Sequence, residues 1–149
     1  MIDMAKQSAS TKLVADASEI RAAVFRLSRR LKQQRAVSDM PDGQFAVLVA
    51  LKIHGPHTLT ALAEREGVTA PSMNRTVNAL EERGHLTRTE DGADRRRVVI
   101  EITLTGRSVV QDTVRRRDEW LAKVLARLDA GDRETLLAAA AIIMREVER

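Results

Sequence analysis

Three groups of residues in this chain carry polar chemistry at usable spacings. Asn74, Arg75 and Asn78 recur on one side of a helical pattern. An Asn amide can pair bidentately with N6 and N7 of adenine, and an Arg guanidinium with O6 and N7 of guanine. Arg95, Arg96 and Arg97 stand side by side in "TEDGADRRRVVIEIT", residues 89–103. Three like charges at a turn repel one another, and contact with phosphate or an electronegative minor groove relieves that repulsion. Asp91 and Asp94 partly neutralise them and can orient a guanidinium by a bidentate bond. His54, His57 and His85 form the third group, which could ligate zinc together with a carboxylate. The His54-Gly-Pro-His57 stretch reads as a loop with no pattern that would orient the rings, so no metal site is expected.

Composition narrows the classes. The chain has 149 residues, 44% hydrophobic and 31% charged, and no cysteine. Disulfides and thiolate chemistry are therefore excluded. No Ser-His-Asp set, glycine-rich phosphate loop or pair of buried carboxylates can be placed, so the expectation is a non-enzyme without cofactor. The net charge of +4 is a mild lean toward polyanions. Aromatic residues make up 2%, which disfavours stacking platforms for single strands. No apolar run spans a membrane and the first residues lack a signal-peptide core, so the expected location is the cytoplasm.

The elements that must position these groups follow from periodicity. Leu13, Ala17, Ile20, Val24, Leu27 and Leu31 are spaced 4, 3, 4, 3, 4, a heptad-type seam on a helix expected from about Leu13 to Arg35. Pro41 opens a second helix, apolar all round in "FAVLVAL", which Gly55 to His57 closes. Phe25 and Phe45, the aromatics of these two helices, read as core. Thr58 caps a third helix that Gly67 stops, with Val68 expected to plug the gap before the next. Thr69 caps a fourth, which ends with Gly84 at C′. Met73, Val77 and Leu80 mark its buried face.

Strands at Leu86 to Glu90 and Arg97 to Ile102 flank the arginine turn, and Val98, Ile100 and Ile102 share one face. Thr103 or Thr105 caps a fifth helix reaching about Leu128. In it Asp112–Arg116 and Arg115–Glu119 would make "RRRDE" an exposed, salt-laced face. A sixth helix runs from about Arg133 to Val147.

The expected fold is mainly α with a small β-hairpin wing. A helix-turn-helix followed at once by such a hairpin is a winged helix, here a lobe at residues 38–103. Residues 1–37 and 104–149 supply amphipathic helices whose stripes a second copy of the chain would cover. The expected double-stranded DNA contacts are Thr69, Ala70, Pro71, Ser72, Asn74, Arg75 and Asn78 on the helix. Asp94, Arg95, Arg96 and Arg97 join them on the wing, with Arg96 the first choice for the minor groove. Two other readings are kept. One is a His-liganded, metal-responsive regulator. The other is a winged-helix protein-interaction module, which would need large apolar anchors where this helix has Asn, Ser and Arg.

From about Ser18 to Val147 the chain resembles the MarR family of bacterial transcription regulators. "DGADRRR" followed by "IEITLTGR" carries the likeness most specifically, and "QFAVLVAL", "LAEREGV" and "RTVNALEERG" add to it. Ile102 stands where the family has Leu in its Leu-Thr-x-x-Gly, and Pro41 where it often has a capping Thr or Ser. The resemblance implies a homodimer joined through the N- and C-terminal helices, with one winged helix per subunit. It implies binding to a pseudo-palindromic operator, usually as a repressor, and release by a small lipophilic or phenolic effector.

Overall fold

Arg35 ends the first helix by turning its side chain onto the chain that follows. In the computed structural model, which describes residues 2–90, 92 and 98–148 (side chains from residue 10 onward), α1 spans Ile2–Lys32. Arg35 Nη1 donates to Met40 O at 2.7 Å and Nη2 pairs with Asp42 Oδ1 at 2.5 Å. This fork belongs to a loop and stops α1 before Arg35. At its other end α1 begins well before Leu13, because Met4, Ala5, Lys6 and Gln7 are good helix formers and the pattern carries no breaker.

The chain divides into two units, residues 35–118 and residues 1–34 with 119–149. The first unit contains α2 (Asp42–His54), α3 (Leu59–Glu66), α4 (Ala70–Glu82), β1 (Leu86–Glu90), β2 (Val98–Ile102) and most of α5 (Leu104–Leu125). Leu48 and Leu51 of α2, Leu62 of α3, Met73, Val77 and Leu80 of α4, and Ile100 of β2 are almost fully buried in one cluster. Val109 and Val110 of α5 join it, so the start of α5 packs with this lobe rather than with the terminal helices.

Local chemistry sets the element ends. Pro41 occupies the N-cap of α2 without a side-chain bond. Thr58 accepts from Ala61 N, Thr69 from Ser72 N and Thr103 from Gly106 N, each satisfying a first-turn donor. Gly67 ends α3 in the left-handed region at φ 64°. Gly84, at φ 71°, follows the Arg83 C-cap of α4. The Gly84 and His85 N–H groups then bond back to Glu81 O and Leu80 O, a Schellman ending.

The strands pair antiparallel, Leu86 opposite Ile102 through Glu90 opposite Val98. His57 adds a bridge on the other edge of β2, exchanging both backbone bonds with Ile100. Several expectations change. Val68 is 42% exposed, because the left-handed turn at Gly67 and the Val68 N–H to Ala63 O bond carry it outward instead of between the helices. Val98 is exposed at the end of its strand while Ile100 and Ile102 are buried. The pair seen at Asp112 is with Arg115 at i,i+3, and Arg117 is drawn under cover, its guanidinium 4.6 Å from the Phe45 ring centre. α5 stops at Leu125, and turns over Ala126 to Leu128 lead to α6 (Ala130–Val147), capped by Asp129.

In the second unit the apolar stripes are uncovered. α6 has no buried residue, and Phe25 of α1 is exposed rather than in a core. Ile20, Val24 and Leu27 of α1 and Leu136, Ala140 and Ile143 of α6 line an open apolar groove of about 490 Å3. Among the described residues no helix is long and apolar enough to cross a membrane.

Candidate nucleic-acid interface

α4 is a two-faced helix. Met73, Val77 and Leu80 anchor it in the core, and on its other side Thr69, Ala70, Pro71, Asn74, Arg75 and Asn78 are exposed. Ser72 is half-buried. Its N–H is already given to the Thr69 hydroxyl at 3.4 Å, and Pro71 has no N–H. The first turn thus keeps the Ala70 N–H and the positive end of the helix dipole for an anion. The structure therefore brings together all seven helix positions expected from sequence, six of them open to solvent. Asp94, Arg95, Arg96 and Arg97 lie outside the described residues.

One member of this surface is not legible in the sequence. Arg88, on β1, reaches across to α4. Its Nη2 donates to Asn78 Oδ1 at 2.7 Å and to Asn74 Oδ1 at 3.2 Å, and its Nη1 pairs with the Glu81 carboxylate. Asn74, Asn78 and Glu81 are spaced 4 and 3, so three oxygen acceptors form one row along the helix. That row was legible. Which cation would meet it was not, because Arg88 belongs to another element.

Other groups frame the lobe. Arg83, at the end of α4, forks onto Asp39 at 2.9 and 3.3 Å, tying the helix to the loop before α2. The Arg83 guanidinium holds the Asp39 carboxyl below its ordinary range. His85 is buried, which pushes its imidazole below the usual value, with Arg83 adding to the shift. Its Nδ1 has no hydrogen-bond partner among the described residues. His57 is held between Gly55 O at 2.9 Å and Arg65 Nε at 3.3 Å. A guanidinium N–H only donates, so His57 Nε2 accepts and is occupied. Among the described residues no three potential metal ligands gather.

A cavity of about 10 Å3, room for one water, lies among Arg35, Met40, Phe45, Val109, Thr113 and Arg117. Thr113 Oγ1 accepts from Ala36 N at 3.1 Å on its wall. Burial lowers the Arg117 guanidinium from its ordinary value, and its Nε has no partner among the described residues.

The arrangement of capped helix, turn, exposed polar helix and hairpin is shared with known proteins. The profile of the MarR family matches residues 38–97. An HTH-type transcriptional regulator of Mycobacterium tuberculosis is 36% identical over 132 residues, 89% of this chain and 92% of its own length. The HTH-type transcriptional repressor NicR of Pseudomonas putida is 26% identical over 118 residues, 79% of this chain and 75% of its own. The crystal structure of a transcriptional regulator from Thermotoga maritima superposes with a TM-score of 0.76 at 25% identity, covering 91% of this chain and 95% of that one.

Proposed function

This chain belongs to the MarR family, and from that premise we propose that it is a homodimeric repressor that reads a pseudo-palindromic operator with α4 and grips it with the wing. The family is one of DNA-binding transcriptional regulators. The observation that carries the finer reading is the exposed row of Asn74, Arg75 and Asn78 above the buried Met73, Val77 and Leu80. A helix seated this firmly can present its outer face to a major groove without losing its own packing. The uncovered groove between α1 and α6 supports the dimer, since an apolar surface of this kind usually marks an association site. Two half-sites related by a two-fold axis then follow from two-fold symmetry of the protein. NicR is a transcriptional repressor, which supports repression here. The setting is the cytoplasm, where the DNA is.

Release by a small molecule is the remaining part of the proposal. The cavity beside Phe45 and Arg117 has an apolar wall and a half-buried cation, which suits an aromatic acid or phenolate. At about 10 Å3 it admits such a ligand only by opening. The ligand would shift operator affinity by as much as it prefers the opened form.

Selection of genomic fragments by the purified protein, followed by titration of the best one at several salt concentrations, tests the core reading. A discrete two-fold site and a steep salt slope are expected. Arg75→Ala should then lose about 1–3 kcal/mol on that site and blur one or two base positions. If Arg75→Ala and Asn78→Ala change neither affinity nor preference, α4 is not the reading helix.

A further inference from the structure

We infer that Arg88 is a specificity-determining positioning residue: by holding Asn74 and Asn78 through their carbonyl oxygens, it makes both amides hydrogen-bond donors toward DNA. The inference rests on α4 being the reading helix. Its grounds are the fork itself. Arg88 Nη2 lies 2.7 Å from Asn78 and 3.2 Å from Asn74, and a guanidinium has no acceptor. The atom of each amide that faces it must therefore be Oδ1, whatever the ambiguity of amide orientation in general. Nη1 is taken by Glu81, so the guanidinium is pinned from both ends and its charge is matched within the protein. Arg88 is half-buried, whereas Asn74 and Asn78 are exposed.

The consequence is chemical. A bidentate contact to adenine needs an amide that offers its oxygen to N6–H and its nitrogen to N7 at once. Each Oδ1 is held by Arg88 with one of its two lone pairs taken, which leaves Nδ2 as the freer group for the groove. A lone donor matches the acceptor-only edges, O6 and N7 of guanine or O4 of thymine. Expecting both Asn residues to read adenine treats their amides as free, and the β1 cation makes them otherwise. β1 thereby acts on specificity without touching a base.

The test is selection from duplexes randomised over one half-site, using the parent, Asn74→Ala, Asn78→Ala, Arg88→Met and Asn78→Asp. The alanine variants locate the base positions each amide reads. At those positions the parent should take guanine or thymine. Arg88→Met keeps the apolar stem and frees both oxygens, and adenine should be enriched there roughly fivefold or more over the parent. Its salt slope should stay that of the parent, because the Arg88 charge is spent on Glu81. Asn78→Asp keeps an acceptor for Arg88 but turns a carboxylate oxygen outward. It should move that position toward cytosine, whose N4 donates, and it decides the matter if Arg88→Met does not fold. Adenine preference in the parent overturns the inference while leaving α4 as the reading helix. So do Arg88→Met binding more weakly with unchanged preference, or Asn78→Asp showing no shift. A parent that selects no site at all removes the reading helix, and the inference with it.

Discussion

A side chain on Gly106 would collide with the backbone of His85: a Cβ built there lies 2.1 Å from His85 O and 2.8 Å from Ile102 Cγ1. The start of α5 thus touches the turn between α4 and β1 through bare backbone, and Thr103 N bonds the same carbonyl at 3.1 Å. Backbone atoms cannot move aside as a flexible side chain does. Gly106→Ala should therefore destabilise the fold by about 1–3 kcal/mol or more, the scale of overpacking. Gly43, in the first turn of α2, has nothing within 4 Å of such a Cβ and no positive φ. Gly43→Ala should stabilise by about 0.4–1 kcal/mol. Urea melts of both variants check the opposite signs.

His85 should make stability depend on pH. Its folded value lies below its ordinary 6.5 because burial disfavours the charged ring. Between the folded and ordinary values the unfolded chain binds more protons, so stability is full above 6.5 and falls as pH drops through it. Parent melts should weaken from neutral pH toward pH 5, and the slope should flatten in His85→Phe. An unchanged slope in that variant would show that another group titrates.

The groove between α1 and α6 predicts an assembly. Light scattering at micromolar concentration should return twice the 16.6 kDa chain mass. Ile143→Asp places a charge in the groove and should shift the mass toward one chain or expose the protein to aggregation. A well-folded parent monomer would sink the dimer.

Asp94 and Arg96 lie outside the described residues, and the sequence alone places them on the wing. Arg96→Ala should weaken operator binding and lower the salt slope by about one counterion per subunit. Asp94→Ala should also weaken it, although an acid near DNA is lost. Simple electrostatics predicts the reverse sign, so titrating both variants at two salt concentrations separates an orienting Asp94 from a merely repulsive one.

Local features are legible in the chain before any folding is considered. Thr58 and Thr69 as caps, Gly67 and Gly84 as stops, the buried row of Met73, Val77 and Leu80, and the strand pairing from Leu86 to Ile102 all depend on residues a few positions apart or on one repeating period. The sequence offers Thr103 and Thr105 alike as the cap of α5, and the fold selects Thr103, whose hydroxyl accepts from Gly106 N and donates to Gly84 O. Meetings between elements distant in the chain come only from packing. Arg88 reaching Asn74 and Asn78, Arg117 over Phe45, Gly106 against His85 and His57 beside Ile100 are such meetings. Periodicity shows that a face is buried or exposed but not which side chain stands opposite it. An exposed Asn therefore reads as a free amide until the neighbouring strand is placed. Its hydrogen-bonding character toward a groove is a property of the pair.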